Sequence, residues 1–318
     1  MNQEVVTFGE TMFIFDAATS GPLRYVDDFK KRIGGAESNV ALGLTRLGHK
    51  SAWMSQLGND EFGKFIVQLL RGEGVDVSRV LYRDDAPTGL FIKEKIKSDE
   101  HHVYYYRAHS AASKMDADWI DLDYIKNAKI LHVTGITPLL SESCKDMTLK
   151  AMRFAKENGV FVSFDPNLRY KLMNDKESPR ETILEMIKLS DLFIPGIDEL
   201  EFILNEKSTP EDYLMTLQKM GVNQAVIKNG ADGTYFLDGS NSGFVECVKV
   251  DHIVDPIGAG DGFAAGLLSG LLDEISLEQA VLRGNIVGAR VITIQGDIEG
   301  LPERQQVIDF SKKKDVVR

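Results

Sequence analysis

The stretch richest in chemical information is Asp255-Pro256-Ile257-Gly258-Ala259-Gly260-Asp261-Gly262-Phe263-Ala264-Ala265-Gly266. Small residues from Gly258 to Gly260 let backbone N–H groups converge at a helix start, where the dipole and unpaired donors favour an anion. Phe263, Leu267 and Leu271 then continue one apolar helical face. An acid at Asp261 is welcome in a first turn. Beside a phosphate-sized nest it also suits a carboxylate that takes a proton from a hydroxyl attacking a phosphoryl group. A glycine turn whose acid only stabilises the helix explains the same residues. A second cluster, Gly34-Gly35-Ala36-Glu37-Ser38-Asn39, allows close backbone approach to a small polar ligand, with Asn39 or Glu37 placed to bond its hydroxyls. A Gly-Gly bend ahead of a helix explains it equally well.

The elements that must position these clusters read as α/β. Short apolar runs rich in β-branched residues, at 5–8, 130–134, 160–164, 192–195 and 224–228, alternate with longer helical patterns. Residues 36–47 place Val40, Leu44 and Leu47 on one face and end at Gly48, and residues 60–70 repeat the plan with Phe62, Phe65, Ile66 and Leu69. The expected architecture is a doubly wound, mostly parallel sheet with helices on both faces. Residues 12–15, 23–32, 89–97 and 102–107 break the alternation, reading as strands with no helix between neighbours. They predict a small β-sheet lid inserted in two pieces, 12–32 and 88–110, into an α/β domain of 1–11, 33–87 and 111–318; edge hairpins of the main sheet are the alternative. A lid sheet must bury its second face over a cleft or on another subunit. The charged tail 312–315 is expected to fray.

Composition sets outer bounds. The chain has 318 residues, 43% hydrophobic and 27% charged, with 37 Lys plus Arg against 48 Asp plus Glu and a formal net charge of −11. That balance speaks against non-specific binding to nucleic acid or an anionic membrane, so any anionic ligand must be held by local positive charge. No apolar run approaches the roughly 18 residues that span a bilayer. Two cysteines, Cys144 and Cys247, offer neither a disulfide framework nor a CxxC metal site. The start of the chain lacks a basic region followed by a long apolar stretch, so a reducing cytoplasm is the expected setting.

Gly34 to Ala41 with Gly58, and Asp255 to Gly266, resemble the two signatures of the PfkB (ribokinase-like) carbohydrate kinases, in their expected order. The likeness covers the chain from Val5 to about Phe310. It implies ATP-dependent phosphorylation of a sugar hydroxyl, with Asp261 as general base and Gly258, Ala259 and Gly260 as the anion hole. An ordinary Asp is ionised at pH 7 and needs no unusual tuning for that role. No GxGxxG follows the first strand, which disfavours a dinucleotide oxidoreductase. A non-catalytic sugar-acid sensor is disfavoured by the intact base and anion hole.

Tyr104-Tyr105-Tyr106-Arg107-Ala108-His109-Ser110-Ala111-Ala112-Ser113 and Phe164-Asp165-Pro166-Asn167-Leu168-Arg169 resemble the 2-keto-3-deoxygluconate kinase branch, whose substrate is a six-carbon keto acid. Arginine presents a planar fork that matches a carboxylate. The resemblance implies substrate contacts at Gly34, Gly35, Asn39, Phe91, Tyr105, Tyr106, Arg107, Arg169 and Asp297. Phe91 stands where the branch is expected to carry Tyr. Because the three tyrosines alternate along a strand, at least one is expected to face a core or dimer surface. ATP contacts are implied at Asn167, Lys228, Gly230, Gly233, Gly258, Gly260 and Asn285, although small residues at 284–288 could equally be helix-packing positions. Mg²⁺ is required chemically to offset phosphate charge. The family's NxxE element falls at Gly196-Ile197-Asp198-Glu199, where only Glu199 remains, acting through water. Fructose, ribose or a deoxy-ketogluconate isomer are the alternative substrates, and a homo-oligomer through the lid sheet is expected.

Overall fold

The computed structural model describes residues 3–97, 101–169, 172–173 and 177–315. Its strands are β1 (Val5–Phe8), β2 (Met12–Ala17), β3 (Phe29–Gly34), β4 (Ser51–Gly58), β5 (Val80–Arg83), β6 (Leu90–Lys95), β7 (His101–Tyr106), β8 (Ile130–Thr134), β9 (Phe161–Asp165), β10 (Leu192–Phe193), β11 (Gln224–Lys228), β12 (Thr234–Asp238) and β13 (Asn241–Val245). The main sheet runs β13-β12-β11-β10-β9-β8-β1-β4-β5. From β11 through β5 every pairing is parallel, and β12 and β13 add an antiparallel edge.

The sequence of β1 explains its central place. Successive side chains of a strand point to opposite faces, so a strand covered on both sides must be apolar throughout. Val5 packs with Ile130, Leu192, Val226 and the helix Ala259–Leu272, whereas Val6 and Phe8 pack with Leu131, Val133 and the helix Glu142–Glu157. Helices therefore cover both faces. The helices Ala259–Leu272 and Leu277–Val291 lie very close together: a Cβ on Gly284 would come within 2.9 Å of the Phe263 ring.

The second sheet has the order β3-β2-β6-β7 and no pairing with the first among the described residues. The edge-hairpin alternative is thereby set aside. Residues 23–32 do not form one strand. Pro22 leads into a 3₁₀ turn at Leu23–Tyr25, and pairing with β2 begins only at Phe29, continuing to Gly34. None of Tyr104, Tyr105 and Tyr106 is buried in a core. The helix Arg304–Asp315 includes the tail expected to fray. No described helix is long and apolar enough to cross a membrane.

Candidate active site

Parallel strands deliver their carboxyl ends to one edge of the sheet, where ligands of open α/β folds bind. There the helix Ala259–Leu272 begins. Gly258 is its N-cap at φ +80°, a left-handed conformation that a side chain resists. A Cβ there would also stand 2.4 Å from the Asp297 carbonyl oxygen. First-turn amides have no partner in a preceding turn. Among the described residues only a weak 3.5 Å bond, from Ala259 N–H to the Pro256 carbonyl, engages those of this turn.

Asp261 sits in that first turn, 8% exposed. Asn39 Nδ2 donates to its Oδ2 at 2.8 Å and Asn167 Nδ2 to its Oδ1 at 3.2 Å. Asn167 is held at φ +40°, a region Asn tolerates better than most residues, just after β9. Burial pushes the Asp261 carboxyl up to about 6, although Asn39, Arg169 and Lys228 oppose the shift. The expectation of an ordinary aspartate is corrected here: burial, which the motif does not reveal, makes it a stronger base.

Lys228 ends β11 and bonds Asp165 Oδ2 at 2.5 Å. Burial alone would depress this ammonium, but Asp165 and Glu199 hold it above its ordinary value. A Cβ on Gly260 would lie 3.9 Å from Lys228 Nζ, so this positive charge flanks the anion turn. Glu199 accepts from the Gly196 and Leu168 amides at 2.6 Å each, and burial raises its pKa against the pull of Lys228.

A cleft of about 470 Å³ brings together Gly34, Gly35, Asn39, Phe91, Tyr105, Arg107, Asn167, Arg169, Glu199, Lys228, Gly258, Gly260, Asp261 and Asp297. A Cβ on Gly34 would lie 2.7 Å from Asp297 Oδ2, so the bare backbone is what keeps this wall open. Burial and the nearby Asp261 push the Asp297 carboxyl up to about 7, Lys93 opposing. Tyr105 packs on Phe91 at 5.5 Å and under the Arg107 guanidinium at 5.9 Å.

Other expected residues lie elsewhere. Tyr106, 61% exposed, does not line the cleft. Gly230 and Gly233 bracket a 3₁₀ turn beyond its wall. Asn285 is buried and engaged internally, accepting from Thr234 Oγ1 at 2.8 Å and donating to the Glu246 carbonyl at 3.2 Å. Glu37 faces away from the cleft, its Oε1 accepting from Thr134 and Thr137 at 2.7 and 2.8 Å, and burial pushes it up to about 7.

The residues missed are charged partners from distant segments. Glu10, just after β1, pairs with Arg107 and accepts from Ser110 Oγ at 2.5 Å. Arg107 is thus already ion-paired, yet among the described residues its buried Nε has no hydrogen-bond partner. Among the described residues Asn39 Oδ1 is likewise buried without one.

The family model for pfkB family carbohydrate kinases matches residues 2–304. The chain belongs to this family. Among relatives of this kinase, the 2-dehydro-3-deoxygluconokinase of Bacillus subtilis (strain 168) is 46% identical over 311 residues, 98% of this chain and 96% of that one. Fructokinase-1 of Zea mays is 34% identical over 317 residues, covering 97% and 98%. The crystal structure of a PfkB protein from Polaromonas sp. JS666 superposes with a TM-score of 0.88 at 38% identity, covering 96% of this kinase and 99% of that chain. Membership carries the use of ATP as phosphoryl donor to a carbohydrate. The fold agrees with the doubly wound sheet and second small sheet expected from the sequence.

Proposed function

We propose that this kinase phosphorylates 2-keto-3-deoxygluconate at its terminal hydroxyl, giving 2-keto-3-deoxy-6-phosphogluconate. The observation that carries the reading is Arg107, which lines the cleft that also holds Asp261 and whose buried Nε is unpaired among the described residues. A guanidinium donor left free in a desolvated cleft has a strong preference for an anionic acceptor. The kinship to the Bacillus subtilis enzyme supports the same substrate.

In this reading Arg107 and Arg169 hold the sugar acid's carboxylate, and Asn39 Oδ1 accepts a sugar hydroxyl. Asp261 takes the proton of the attacking hydroxyl, oriented by the Asn39 and Asn167 amides. The Gly258, Ala259 and Gly260 amides and the Lys228 ammonium stabilise charge on the transferring phosphoryl, whose loose transition state asks mainly for positioning. Among the described residues no three His, Cys, Asp or Glu side chains gather as a metal cage. Mg²⁺ would be carried hydrated on the nucleotide, retaining several waters and offsetting phosphate charge. Asp165 and Glu199 would hold its waters, each carboxylate keeping lone pairs beyond those given to Lys228 and the backbone.

Side-by-side measurement of ADP release with the keto acid, fructose and ribose tests the substrate. The keto acid should lead by about 10²-fold in kcat/KM, the worth of a charge-assisted bond of about 3 kcal/mol. A preference for fructose would overturn the assignment and favour the Zea mays kinship. The base must be ionised to act, so log kcat/KM should fall with unit slope below about pH 6 and level off above it. A limb at the ordinary carboxylate value would contradict the burial effect. Exposed Phe29, Tyr104 and Tyr106 on the second sheet support a homo-oligomer formed there. Sedimentation equilibrium should find a species heavier than one chain, and a monomer at working concentration would refute it.

A further inference from the structure

A buried ion pair ties the second sheet to the loop that leads into the anion turn. Lys93 Nζ, on β6, lies 2.6 Å from Asp255 Oδ2, with the two side chains 4% and 1% exposed. The same carboxylate accepts from the Ile257 amide at 3.3 Å through Oδ1 and from the Gly296 amide at 3.3 Å through Oδ2. One group therefore gathers the lid strand, the anion turn and the loop carrying Asp297. A second polar junction joins the same partners: Asp16 of β2 accepts from Arg32 Nε of β3 at 2.8 Å and from Gln295 Nε2 at 3.1 Å, and Arg32 also pairs with Glu299.

Burying opposite charges is a poor way to gain stability, because desolvation offsets most of the attraction and apolar side chains of equal volume would do as well. What a buried pair fixes is geometry. Asp255 stands three residues before Gly258, whose left-handed φ sets the direction of the turn's amides. We propose that Lys93 is a positioning residue for phosphoryl transfer: through Asp255 it holds the anion turn in register, so the turn is ordered only while the second sheet lies over the cleft. The proposal requires a kinase but not a particular sugar.

The test compares Lys93→Met, which strands the Asp255 charge, with Lys93→Met/Asp255→Asn, which removes both charges and keeps an acceptor for the Ile257 amide. The double variant should fold with an unchanged circular dichroism spectrum, and kcat on whichever sugar the parent turns over should fall about 10²-fold, as for a misplacement near 1 Å. KM for that sugar should stay within about threefold, since its contacts are untouched. In ligand-free protein, the hydrogen-bonded amides of Ile257, Ala259 and Gly296 should exchange about tenfold faster with solvent. A folded double variant with parental kcat, or with parental exchange at these three amides, would overturn the proposal. So would a loss of kcat accompanied by faster exchange throughout the sheet, the mark of general loosening. The exchange measurement needs no substrate, so an error in the sugar assignment leaves it intact.

Discussion

Replacing Asp261 with Asn is expected to lower kcat by about 10³-fold, within the range a positioned general base supplies. Sugar binding measured by calorimetry should change little, because the Gly34, Gly35, Arg107 and Arg169 wall is untouched. The same substitution should stabilise the protein at alkaline pH. The native carboxyl is raised from 3.8 to about 6, a difference of about 3 kcal/mol against the ionised form. Below pH 3.8 the group is neutral both folded and unfolded, and the variant has no advantage. As pH rises from there through about 6, the unfolded chain ionises first and the parent loses stability; above 6 the penalty is complete. Denaturant titrations at pH 4 and pH 8 should show the Asn variant gaining far more at the higher value. Retained turnover would remove Asp261 as the base, and equal gains at both pH values would deny its buried charge.

The second large effect concerns Arg107. Truncating it to Met removes the guanidinium from the cleft lining, and kcat/KM for the keto acid should fall about 10²-fold while neutral sugars change within about threefold. The single variant also strands Glu10, whose side chain is 1% exposed, at a cost of about 3–5 kcal/mol. The decisive protein is therefore Arg107→Met/Glu10→Gln, in which the glutamine can still accept from Ser110. Selective loss of keto-acid turnover in this double variant supports carboxylate recognition. Equal losses on fructose and the keto acid would mean that Arg107 only braces the wall.

The central strands were legible because burial on both faces leaves a plain mark: Val5–Phe8 and Ile130–Thr134 are short apolar runs. The strand Ser51–Gly58 lacks that mark although every residue in it is buried, since Ser51 and Gln56 are satisfied by the Ala41 carbonyl and by Arg83. In the site, the glycine turn and Asp261 could be read from local spacing. Glu10 could not, because its partner Ser110 is 100 residues away, nor could Lys93, 162 residues from Asp255. Such pairs exist only after folding, and so does the burial that moves Asp261 toward neutrality.

The chain passes between its two sheets four times, and three of the crossings contribute to the cleft wall: Glu10 between β1 and β2, Gly35 after β3, and Arg107 after β7. Any change of angle between the sheets must be absorbed in the four crossings, these three among them. On the proposed assignment the sugar would lie on the pivot itself, and selectivity and product escape would share one set of bonds. Substitutions that retune which sugar is accepted will also reset how quickly its phosphate departs, so directed evolution of this enzyme toward new acceptors should trade commitment against turnover, even where the chemistry is left alone.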